Sequence, residues 1–109
     1  AKSFNKTMRD GERTQFITSH RNGIEVRNYP KKDGTHTPHI WISGDVINPE
    51  LVKERVETLP GVGATKSWGN TEVYYLDSNG KRVELNTVQE SIAMMEELNS
   101  LVDFFVNSN

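Results

Sequence analysis

His36-Thr37-Pro38-His39 is the only histidine cluster in the chain. Two imidazoles can contribute to a zinc site, but such a site needs a third and usually a fourth ligand, and the sequence holds no cysteine. Glu25, Asp33 and Asp45 are oxygen donors at no diagnostic spacing, and Pro38 bars the helical i, i+4 arrangement of zinc hydrolases. The expectation is no metal and two ordinary histidines in an exposed loop. Gly61-Val62-Gly63-Ala64-Thr65-Lys66-Ser67 has the glycine content of a phosphate-binding loop without its spacing. That loop needs a glycine directly before the lysine and another five residues earlier, where this chain has Thr65 and Pro60. The segment reads instead as a glycine-permitted exit from a helix.

Acid–base or nucleophilic chemistry finds no better footing. His20 is expected opposite Glu25 on a strand pair, which fits a surface ion pair more than a general base. Ser19, Ser43 and Ser67 lack a nucleophile-elbow context. No catalytic residue, no cofactor and no enzymatic activity are therefore expected.

Binding is the stronger expectation, in two forms. The leading one is a protein-interaction module: a small accessory regulator, adaptor or inhibitor that acts by binding a larger protein. Phage and mobile-element genes encode many proteins of that kind. Its residues would be Leu101 and Phe104, which fall on otherwise polar ground of the last helix, with Lys31, Lys32, His36 and His39 of the loop 30–38. Self-association of that helix would give a homodimer, the commonest symmetric assembly. The alternative is a single-stranded nucleic-acid-binding protein. Arg21, Arg27, Lys31 and Lys32 would meet phosphates while Tyr29, Trp68 and Tyr75 stack on bases. Trp41 is a further aromatic, but its place in the apolar run His39–Ser43 suits the core. No recognition-helix, RRM or KH signature supports this alternative.

These residues must be held by a small scaffold. The chain has 109 residues, 34% of them hydrophobic, which suits one domain with one core. Its formal charge of −2 hides an asymmetry: residues 1–45 sum to +3 and residues 46–109 to −5. No run of five like charges occurs, so both halves can simply be solvated surfaces. No apolar run approaches the ~20 residues of a membrane helix, and no secretory leader is visible. A soluble, cytoplasmic protein is expected.

Residues 1–12 read as a flexible tail and 13–109 as the domain. Asn22-Gly23 predicts a two-residue hairpin turn, with Arg21 opposite Ile24, His20 opposite Glu25 and Thr18 opposite Arg27. Asn79-Gly80 predicts a second, with Leu76 opposite Val83 and a core face of Tyr74, Leu76, Val83 and Leu85. His39–Ser43 reads as a central strand buried on both sides. Asn48 and Pro49 open one helix, over 48–59. Asn86 or Thr87, with Gln89 or Glu90 three residues on, forms a capping box for a second, over 87–107, whose apolar stripe is Val88, Ile92, Met95, Leu98, Val102, Phe105 and Val106. The expected architecture is α+β: a small antiparallel sheet built from two Asn-Gly hairpins plus a central strand, with two helices packed on one face.

Overall fold

Alternation along the central strands decides which face of the sheet becomes interior. Ile24 and Val26 of one strand and Ile40 and Ile42 of the next are fully buried. The residues between them, Glu25, Arg27 and Trp41, remain partly exposed on the other face. The computed structural model describes residues 5–8 and 14–106, with side chains from 17 to 106 except that of residue 21. Its elements are β1 (Asn5–Met8), β2 (Thr14–Arg21), β3 (Ile24–Asn28), β4 (His39–Ile42), α1 (Pro49–Val56), β5 (Val62–Ser67), β6 (Asn70–Tyr75) and α2 (Val88–Val106). The fold is α+β. Six strands form one sheet in the order β1-β2-β3-β4-β6-β5, antiparallel at every pairing.

Val26 pairs with Ile40, Ile40 with Val73, and Val73 with Ala64, so one inner row crosses four strands. α2 lies on β3 and β4, and α1 on β5 and β6. Met95, Leu98, Val102 and Phe105 of α2 and Val52 and Val56 of α1 join that row in one core. The helices also meet directly, because Arg55 donates from Nη1 to the Phe105 carbonyl at 2.8 Å. A cation at the C-terminal end of α2 is well placed against the helix dipole.

Local chemistry sets both helix starts. Asn48 accepts from the Glu50 amide at 2.8 Å and Pro49 takes the first position. Thr87 and Glu90 exchange side-chain to backbone hydrogen bonds in both directions. Replacing Asn48 by alanine leaves that amide without its side-chain cap. A loss of about 1 kcal/mol is expected, read as a fall of roughly 4–8 °C in Tm. An unchanged melt would show that the cap is not holding α1.

Several expectations about the strands require correction. The Asn22-Gly23 turn does join β2 to β3, but the pairing shifts between Ser19 and Arg21. Past that bulge Ser19 faces Glu25 and Thr18 faces Val26, one residue off the simple register. His20 therefore does not pair with Glu25; its Nε2 meets Asn99 Oδ1 of α2 at 2.6 Å. The Asn79-Gly80 turn, by contrast, does not join two strands. Asp77 Oδ1 accepts from the amides of Asn79 and Lys81, and Leu76 bridges Arg82 instead of Val83. The hairpin partner of β6 is β5, through Trp68-Gly69, and Val73, not Tyr74, lies in the core. Asn5–Met8, within the segment expected as a tail, pair with β2 as an edge strand. The rest of that segment lies outside the described residues.

Candidate interaction surface

Three chain reversals converge at one end of the sheet. The Ser43 amide donates to the Gly23 carbonyl at 2.7 Å, and Val46 and Ile47 donate back to the Ser43 carbonyl. The Gly44 amide donates to Asn70 Oδ1 at 3.3 Å, which docks this turn onto the β5–β6 hairpin. Gly44 and Gly69 approach so closely that a Cβ on Gly44 would overlap the Gly69 carbonyl oxygen. At this end stand the large apolar residues exposed among the described ones: Val46 at 40%, Leu51 at 39% and Trp68 at 97%.

Trp68 is also unusual in its backbone. Its φ is 54° and that of Gly69 is 79°, and the two residues join Ser67 to Asn70. A turn with positive φ at both central positions suits the twist of the strands and normally carries Asn-Gly or Gly-Gly. A non-glycine residue pays roughly 1–2 kcal/mol for the left-handed region. The indole is almost wholly solvated, so no packing among the described residues offsets that strain.

The sheet face opposite the helices carries a different kind of surface. Arg27 stacks 4.2 Å above Trp41 and accompanies Tyr29 at 5.7 Å, while Arg82 lies 4.4 Å above Tyr74. Each guanidinium has its own carboxylate, Glu25 at 2.6 Å and Glu72 at 2.9 Å. Beside them His39 is only 3% exposed. Arg82 Nη2, a donor only, sits 3.0 Å from His39 Nδ1, and the Thr37 carbonyl oxygen lies 3.2 Å from the same nitrogen. Burial is the largest cause holding His39 down at about 4; Glu72 opposes that shift, and Arg82 and Arg27 add to it.

Two shallow grooves open near these groups. One of about 380 Å³ lies against Glu25, Arg27, Trp41, Ser43, Asp45 and Val46. The other, about 470 Å³, is lined by Asp77, Lys81, Arg82 and Glu84. Neither places a histidine against a serine. All three histidines are engaged elsewhere, His20 with Asn99, His36 with Asn28 and His39 with Arg82. Among the described residues no group of three or more His, Asp or Glu could hold a metal ion.

The residues singled out from sequence are scattered. Lys31 and Lys32 lie in the loop beyond β3, at the end of the sheet opposite Trp68, and Lys31 is paired with Glu84. That loop is ordered by its own hydrogen bonds: Asp33 accepts from both Thr35 Oγ1 and the Thr35 amide, which lowers its carboxyl pKa. Arg27 and Tyr29 lie on the open face. Tyr75, opposite Val62, belongs to the inner face, where burial raises its hydroxyl pKa. Arg21 pairs with Ile24, and its side chain lies outside those described. The seven residues of the nucleic-acid set are thus not brought together.

His36 and His39 are buried, not exposed, and face opposite sides of the sheet: the one meets Asn28, the other Arg82. Leu101 and Phe104 are half-buried against the core, with Phe104 edge-on to Phe105 at 5.3 Å. They do not form an exposed patch. The sheet and its partners cover more of α2 than an isolated helical wheel allows. Comparison with family models, with curated proteins and with solved structures found no match to this chain. The class is therefore defined by the fold alone, an antiparallel α+β domain with one helix-covered face.

Proposed function

We propose that this chain is a protein-interaction module that acts by binding, not by catalysis, and that Trp68 is its anchor. The observation that carries the reading is a fully solvated indole held on a strained two-residue turn. Backbone strain and exposed aromatic surface both lower stability, and strained positions cluster at functional sites. Tryptophan is the residue most enriched at interface hot spots, and Val46 and Leu51 are further large apolar residues exposed among the described ones. The charge pattern favours a protein over a nucleic acid. Arg27, Lys31, Lys66 and Arg82 are each paired with a carboxylate of this chain, which reduces what these four cations offer to phosphates.

Trp68→Asn separates binding from folding. It installs the preferred Asn-Gly turn, so the variant should be more stable than the parent by about 1 kcal/mol. It should also lose a hot spot, weakening partner binding roughly 30-fold or more. The assay is capture on immobilised chain from a source-cell lysate supplemented with untagged chain, with and without nuclease. Proteins retained by the parent, lost by Trp68→Asn and indifferent to nuclease are the expected result. Equal capture by both would overturn the role of Trp68, and loss on nuclease treatment would redirect the reading to nucleic acid.

A further inference from the structure

β5 ends the sheet, and its outer edge pairs with no strand among the described residues. The Trp68-Gly69 turn fixes which backbone groups face outward. Ser67 and Asn70 close the two-residue hairpin as a hydrogen-bonded pair, so Thr65–Glu72 and Gly63–Tyr74 follow as further bonded pairs. Val62, Ala64 and Lys66 therefore direct their N–H and C=O groups away from β6. Such an edge is a template for another strand unless the chain blocks it, and lysine is the usual blocker. Here the Lys66 ammonium is drawn back onto Glu50 of α1. The small residues Gly63 and Ala64 sit at the middle of the edge, with no bulk to hold a strand away.

We infer that the occupant of this edge is a second copy of the chain, paired β5 to β5 in antiparallel fashion about a two-fold axis at Ala64. The inference rests on the reading of Trp68 as a protein anchor and names its partner. Register arithmetic supports this choice. With Ala64 opposite Ala64, Val62 faces Lys66, and every outward backbone group meets a complementary one. The two Lys66 residues are then four positions apart, roughly 14 Å, so like charges are not opposed. The same register brings Trp68 alongside Pro60 and Gly61 of the second copy, which are exposed in this chain. The two-fold axis makes that contact twice. The solvated indole thus gains a flat apolar seat that its own chain does not provide. Two indoles contribute roughly 300–500 Å², against about 1,200–2,000 Å² for a standard stable interface. The dimer should accordingly be reversible and concentration-dependent.

The test is light scattering on size-exclusion peaks of the whole chain over a dilution series, with amide exchange measured on the same samples. The expected mass rises with concentration from 12.4 kDa toward twice that value. The amides of Val62, Ala64 and Lys66 should gain protection as concentration rises, while those of Gly63, Thr65 and Ser67 should not change. Ala64→Pro removes an outward amide that serves no bond within the chain, and it should remain monomeric at every concentration. Trp68→Asn, which keeps the strand intact, should shift the dimerisation midpoint at least tenfold upward and serves if the proline variant fails to fold. A constant 12.4 kDa mass near 1 mM, or concentration-independent exchange at Val62, Ala64 and Lys66, would overturn the dimer. In that event Trp68-dependent capture of another protein would leave the interaction reading standing. Loss of all Trp68-dependent capture would remove that reading instead.

Discussion

Gly44→Ala is expected to destabilise the domain by about 3 kcal/mol, the upper end of ordinary overpacking costs. The atom in the way is the carbonyl oxygen of Gly69, with its carbon 3.2 Å from where the new methyl would stand. Backbone cannot swing aside as a side-chain terminus can, so one of the two turns must move. Either movement strains the hydrogen bond from the Gly44 amide to Asn70 and the seat of Pro49 behind it. On the proposed reading of Trp68 the consequence extends to binding, because Trp68 is carried on one of these two turns. Chemical denaturation should show the loss of stability, and partner capture should weaken even at temperatures where the variant is fully folded. A cost under 1 kcal/mol would mean that the two turns are not packed as described.

Legibility in the sequence followed the range of the interactions. Thr87 with Glu90, Asn48 with Pro49, and the stripe through Met95, Leu98 and Val102 act within one or two helical turns, and both helices could be read from them. Asn22-Gly23 marked a turn, but the bulge beside it accompanies a bond from His20 to Asn99, some eighty residues away. Once His20 leaves the ladder, every β2 partner before it moves by one, while Arg21 stays opposite Ile24. Asn79-Gly80 misled for a related reason. Asp77 closes a longer loop there, and the strand that β6 pairs with precedes it through Trp68-Gly69, a pair without a strong turn signature.

The candidate site was hidden in the same way. The sequence marks Trp68 by its ring and not by its position, since nothing local shows that a tryptophan occupies a left-handed turn. Arg27 over Trp41 and Arg82 over Tyr74 join strands whose neighbours only the complete strand order defines. Phe104 stood out on a helical wheel because a wheel has no sheet beside it. In this fold it is an outlying member of the core.

Acid should unfold this domain earlier than its carboxylates alone would require, and His39 is the reason. The folded state holds its imidazole neutral down to about 4, chiefly because burial penalises the cation. The unfolded chain binds that proton near 6.5. Between those values the unfolded state carries more protons, so stability rises with pH across the window and falls as acid is added. The full contribution is present above about 6.5 and is lost progressively toward 4. Between pH 7 and pH 5, before most carboxylates titrate, the loss from this one group is about 2 kcal/mol. His39→Gln should flatten that part of the profile, measured by urea denaturation at each pH. Glu72→Gln should act in the other direction on the group itself. Its carboxylate stands 4.0 Å from Nε2 and favours the imidazolium, so its removal should push the His39 pKa still lower in an NMR titration. An imidazole that titrates near 6.5 in the folded protein would refute the arrangement. Arg82 would then not be donating to a neutral Nδ1, and the segment after β6 would keep only its other ties to the open face, to Glu72 and Tyr74.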